Sequence, residues 1–210
     1  FLKNNGVYIH TNEEVKNFVT EGKNVKGVQT NLSEYSCDHI VLACGAWSGE
    51  VAAKLNLNIP LVGGRGYSIT YDEIPFKINH PVILSEARVA LTPMAKDKLR
   101  IGGTMEITSL NTPPKINRVK GILESVKKYF PEVDLPFPGM DKTWYGYRPC
   151  SADGLPYIGK TNQYKNLVIA TGHAMLGLSL GAATGKLVSE IINDEPTSMN
   201  IKAFDPDRFN

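Results

Sequence analysis

Cysteine is scarce in this chain: Cys37, Cys44 and Cys150 are odd in number and form no C-x-x-C pair, which speaks against a disulfide framework and against a structural zinc site. No metal is expected, and a reducing cytosol is the simplest compartment. Charge of a single sign is lacking too. The 23 Lys and Arg against 21 Asp and Glu leave a formal net charge of +2 without any basic block, so neither nucleic acid nor an anionic membrane surface is expected as a partner. A long hydrophobic run is also missing. The stretch between Lys165 and Lys186 has no formal charge and roughly spanning length, but Thr171-Gly172-His173 interrupts it, glycine is frequent in it, and no second such stretch exists. No transmembrane segment is expected, and the location is read as cytoplasmic, with peripheral attachment to an inner membrane as the alternative. No secretory signal is expected. Phe1–Gly6 lacks an initiator methionine and reads as the tail of a helix stopping at a glycine, so a longer parent protein is expected.

What is present is an ordinary globular composition, 42% hydrophobic over 210 residues, enough for one large domain or two small ones. The most informative stretch is Leu167–Ile192. Leu167-Val168-Ile169-Ala170 reads as a buried strand, Thr171-Gly172-His173 as a turn, and the residues from about Leu176 as a helix with apolar Leu176, Leu180, Leu187, Val188, Ile191 and Ile192. Such a turn aims unpaired N–H groups and the positive end of a helix dipole at one spot, where an electron-rich group can sit. Gly177, Gly181 and Gly185 fall on one helix face, and each costs roughly 1 kcal/mol against alanine. Helix–sheet packing accounts for Gly181 and Gly185, and ligand approach for Gly172 and Gly177.

Upstream, strands are expected over Gly6–His10, Glu14–Glu21, Asn24–Thr30, Ser33–Asp38 and His39–Ala43, with one or two helical turns over Glu50–Leu57. From Pro60 onward the strand candidates are Leu61–Tyr71, Val82–Glu86, Val89–Met94, Leu99–Thr104 and Lys142–Arg148, with a hairpin turn at Ala95–Lys98. One amphipathic helix spans about Lys115–Phe130 and ends at Pro131. An antiparallel sheet with one helix, residues 59–148, is thus expected to be inserted into a discontinuous α/β partner formed by residues 1–58 and 149–210.

Three places could carry chemistry. Arg148, expected at a strand end stopped by Pro149, can offer its planar fork to a carboxylate, or can equally form a domain-interface salt bridge. Cys44-Gly45-Ala46-Trp47-Ser48 follows a buried strand, and ligands of open α/β sheets bind beyond such strand ends. Gly63-Gly64-Arg65-Gly66 has neither the G-x-G-x-x-G nor the P-loop spacing, and a bulged strand explains Gly63 and Gly64. His173 has no nucleophile beside it, so no catalytic side chain is assigned.

Together IVLACGAWS, GGRGYSIT, IGGTMEIT, YGYRPCSADGLPYIG and ATGHAMLGLSLGAATGKLV resemble the D-amino-acid oxidase-like family of FAD-dependent oxidoreductases, closest to D-amino-acid dehydrogenases and glycine oxidase-like enzymes. The resemblance covers essentially the whole chain. It implies an α/β (α+β) fold, a partial FAD-binding domain with an inserted substrate-binding sheet, and non-covalent FAD. The implied cofactor residues are Val15 near the adenine end, Cys44, Gly45 and Trp47 along the cofactor, and Gly172, His173, Met175, Leu176, Gly177, Leu178 and Ser179 at the pyrimidine side of the flavin. Arg148 matches the arginine that holds the substrate carboxylate, and Tyr67 or Tyr145 is expected to supply a hydroxyl, since Ala90 stands where eukaryotic-type oxidases carry a tyrosine. The family's amino-terminal G-x-G-x-x-G turn has no counterpart in this sequence. The implied activity is oxidation of an amino acid, a D-amino acid first, by hydride transfer to flavin, with oxygen or a quinone as the electron acceptor. A secondary-amine oxidase of the sarcosine or hydroxyproline type and a catalytically inert scaffold are the alternatives. Gly146 near the position of a flavin-attaching cysteine in some relatives argues against covalent attachment.

Overall fold

The computed structural model describes every residue except Pro75, Lys77 and Lys96, and it divides into two compact units, residues 1–61 with 151–210 and residues 62–150. In the first unit β1 (Val15–Glu21), β2 (Asn24–Thr30) and β3 (Glu34–Ser36) make an antiparallel meander. β4 (Ile40–Leu42) leaves that sheet and leads through a 3-10 turn at Gly45–Trp47 into the short α1 (Ser48–Ala53). The second unit carries β5 (Leu61–Tyr71), β6 (Val82–Leu84), β7 (Val89–Met94), β8 (Lys98–Thr108), α2 (Ile116–Tyr129) and β9 (Thr143–Ser151), with sheet order β6-β7-β8-β5-β9. The chain returns to the first unit with β10 (Tyr157–Lys160), β11 (Leu167–Thr171) and α3 (Gly177–Ile192). There β11 pairs antiparallel with β10 and parallel with β4.

The unbroken apolar run of β11 follows from its two covered faces. Leu167 and Ile169 join Leu42, Leu55 and Tyr157 in one core, while Val168 joins Ile158, Leu187 and Ile191 on the other side. Asn166, just before β11, donates through its amide to Val25 O (2.7 Å) and Asp38 O (2.8 Å) and accepts from Val25 N–H (2.9 Å), tying β2 to the start of β4. In the second unit α2 covers one face of the sheet with Val119, Ile122 and Val126, packed among Tyr67, Ile69, Val89, Leu91, Leu99 and Ile101.

Several expectations change. Residues 7–10 form no strand; Lys3–Asn5 is a 3-10 turn closed by Gly6 at φ 79°, and Val7, Tyr8 and Ile9 stay exposed because no neighbouring strand pairs with them. β9 runs through Pro149 to Ser151 instead of stopping before it. As an edge strand it tolerates a residue without an N–H. The expected hairpin turn at Ala95–Lys98 includes Lys96, outside the described residues. Only the carboxyl half of α3 packs: Leu176 and Leu180 are exposed, and side chains built at Gly181 and Gly185 would meet nothing within 4 Å. Helix–sheet packing within this chain therefore does not account for those two glycines.

Candidate active site

Alternation sorts the residues of β5 onto two faces. Tyr67 and Ile69 lie under α2. Gly64, Gly66 and Ser68 look to the helix-free face, and Arg148 of β9 lies over the two glycines. Its stem passes Gly64, where a Cβ would stand 3.5 Å from Arg148 Cβ, and its guanidinium lies across Gly66. Among the described residues the one hydrogen bond of the Arg148 guanidinium is Nη1 to Gly64 O, long at 3.4 Å, so the planar fork keeps donors for an anion. On the same face Arg100 donates to Ser68 Oγ (3.2 and 3.3 Å) and stands 5.6 Å from the Trp144 ring centroid.

Tyr67 and Tyr145 are not brought to Arg148. Tyr67 is only 2% exposed, and its hydroxyl donates to Glu106 (2.9 Å) and accepts from the Lys115 N–H (2.9 Å), so it has no hydrogen left to give. Tyr145 packs 6.2 Å from the Tyr67 ring on that opposite face. The separation is one of parity, since residues 145 and 147 alternate with 148 along the strand.

On the helix side lies a polar cluster that sequence reasoning missed. Arg65, fully buried, donates to Glu106 Oε2 through Nε (3.1 Å) and Nη2 (2.9 Å) and to the carbonyls of Thr112 and Pro113. Its guanidinium stands 5.5 to 5.9 Å from the rings of Tyr67, Tyr145 and Tyr147. Lys115 Nζ reaches the other Glu106 oxygen at 2.8 Å. Burial pushes the Glu106 carboxyl up, but hydrogen bonds from Lys115, Arg65 and Tyr67 outweigh it and hold its pKa down to about 2. A bulge makes this cluster. Arg65 pairs with Glu106 but Tyr67 with Gly103, so Gly66 faces two residues of β8, and Thr104 there takes φ 62°. The extra residue flips the parity of β8 and turns Glu106 inward. The bulge thus lies opposite Gly66 and not at Gly63 and Gly64, whose missing side chains leave room for Tyr147, Leu110, Cys150 and Met105.

In the first unit the parallel pairing of β4 and β11 places their carboxyl ends side by side. Thr171 Oγ1 donates to Gly45 O (3.1 Å) and accepts from Ser48 Oγ (2.9 Å), which draws Cys44, Gly45 and Trp47 together with the turn at Gly172 and His173. Gly172 sits at φ 85°, and a side chain there would also press on Tyr157 at 3.1 Å, so the chain itself demands glycine. His173 Nε2 is hydrogen-bonded to Thr184 Oγ1 (2.9 Å), and burial lowers its pKa, favouring the neutral ring. Met175, Leu176 and Leu178 are exposed at the mouth of α3, Leu178 at 98%. Leu176 provides no side-chain cap, so the N–H groups of Gly177, Leu178 and Ser179 keep their donor capacity. A Cβ at Gly177 would meet only His173 Cβ, at an ordinary 3.5 Å, and one at Gly45 would meet nothing. Val15 is apart from this group, at the start of β1 opposite Thr30.

The profile of the family DAO, FAD dependent oxidoreductase, matches residues 1–191. The chain belongs to this family. It is 31% identical over 189 residues to a D-amino-acid oxidase of Bradyrhizobium diazoefficiens, covering 90% of this chain and 45% of that protein. It is 36% identical over 193 residues to a D-amino acid dehydrogenase of Vibrio vulnificus, again 90% of this chain and 45% of the relative. Among solved structures, an L-proline dehydrogenase from P. horikoshii superposes with a TM-score of 0.79 at 26% identity, over 94% of this chain and 54% of its own. The chain thus spans about half the length of the relatives it matches. Among the described residues no helix is long and apolar enough to cross a membrane.

Proposed function

We propose that this chain serves FAD-dependent oxidation of an amino acid, with D-amino acids as the substrate class. The observation that carries the reading is the Arg148 guanidinium, laid on a glycine floor with its fork unspent. Arg148 binds and orients the substrate carboxylate through two parallel charge-assisted bonds. The strand-end group fits a flavin: Gly45 leaves an open cradle, Trp47, Met175 and Leu176 offer apolar surface, and the uncapped N–H groups of Gly177, Leu178 and Ser179 suit the electron-rich edge of a ring. FAD, when bound there, supplies the hydride acceptor, with oxygen or a quinone receiving the electrons afterwards. His173, committed to Thr184, holds the turn in place and moves no proton. A secondary amine is the second reading, favoured by the likeness to an L-proline dehydrogenase.

Arg148→Lys tests the reading in the flavin-loaded enzyme. An ammonium keeps the attraction and loses the fork, so kcat/KM for amino acids is expected to fall by about 10- to 100-fold, roughly 1.5–3 kcal/mol, mostly through KM. Steady-state kinetics checks this, and an unchanged kcat/KM removes Arg148 from the site.

A further inference from the structure

We propose that Gly66 is a positioning residue for Arg148: having no side chain, it lets the guanidinium lie against the β5 backbone and present its fork to a carboxylate. The proposal rests on the reading of Arg148 as the carboxylate holder. A Cβ at Gly66 would stand 2.7 Å from Nη2 and 2.8 Å from Cζ of Arg148, and closer still to Nη1, so the guanidinium and a side chain cannot share that space. Backbone conformation does not demand glycine here, since Gly66 is not among the residues of positive φ. Space is the reason, and one side chain uses it. The neighbouring glycines differ: a Cβ at Gly64 would strike Cys150 Sγ (2.7 Å) and the Met105 methyl (2.9 Å), and one at Gly63 would strike Thr108 O and Tyr147 (both 2.9 Å). At Gly66 every close obstacle belongs to the far end of one flexible side chain, that of Arg148, whereas at Gly64 the buried Cys150 Sγ and at Gly63 a backbone carbonyl also stand in the way. An alanine is therefore accommodated by swinging the guanidinium away, which costs the fold little and costs the fork its place. Displacement of a binding group by about 1 Å can lower activity by two orders of magnitude.

The test uses the flavin-loaded enzyme and acetate as a bare carboxylate, its binding read from the flavin absorbance, with flavin content and melting temperature measured on the same samples. Gly66→Ala is expected to raise the Kd for acetate by about 10-fold or more, in the direction of Arg148→Ala, with flavin content and melting temperature unchanged. In the double variant Gly66→Ala, Arg148→Ala there is no guanidinium to displace, so it should melt where Arg148→Ala melts. Unchanged acetate binding in Gly66→Ala alongside a loss in Arg148→Ala overturns the role of Gly66 and leaves the reading of Arg148 standing. Unchanged binding in Arg148→Ala overturns that reading and this proposal with it. A lower melting point or flavin content in Gly66→Ala, or in the double variant relative to Arg148→Ala, overturns the positioning role in favour of a structural one.

Discussion

Glu106→Ala is expected to destabilise the protein by roughly 3–5 kcal/mol, the scale for breaking a buried ion pair and stranding its partner. Arg65 would be left fully buried with only the Thr112 and Pro113 carbonyls and a long contact to the Tyr147 hydroxyl, and Tyr67 and Lys115 would lose their carboxylate. The same group makes stability depend on acid. Its carboxyl has a folded pKa of about 2 against an ordinary 4.5, so the charged form favours the fold. That contribution, on the order of 3 kcal/mol, is fully present above the ordinary value and is lost as pH falls from there toward the folded value. Glu106→Gln keeps the shape without the charge. Urea unfolding of the wild type and Glu106→Gln across this range should give a stability gap that closes toward acid. A gap that stays constant with pH would mean the carboxylate is not held ionised by its neighbours.

Asn166→Ala is expected to cost roughly 3–5 kcal/mol, because one amide satisfies both backbone groups of Val25 and the carbonyl of Asp38, and each orphaned buried group costs about 1–3 kcal/mol. Val25 is fully buried, so water does not readily replace the lost partners. Asn166→Asp should be nearly as damaging, since a carboxylate can accept from Val25 N–H but cannot donate to the two carbonyls. Denaturant unfolding of both variants checks this. A loss below about 1 kcal/mol for Asn166→Ala would show that the loops rearrange to recover the bonds.

Sequence by itself determined the elements that local chemistry punctuates. The full length of β5, the ends of β7 and the stop of α2 before Pro131 were legible because apolar periodicity and breaking residues agree there. The strand, turn and helix from Leu167 to Ile192 were legible for the same reason, and so was the family, through motifs whose order along the chain is itself information. Arg148 and the strand-end residues could be named in this way, but their surroundings could not. Tertiary structure decided that β9 is an edge strand and so runs through Pro149. It decided that residues 7–10 pair with no strand among the described residues. It also decided that one extra residue in β8, at Thr104 and Met105, turns Glu106 inward to Arg65, and that Arg148 lies on the face opposite Tyr67 and Tyr145. The physical reason is common to all of these. A side-chain period of two tells which residues share a face of one strand, whereas register, bulges and free edges are set by pairing with segments distant in sequence, and a shift of one residue exchanges the faces.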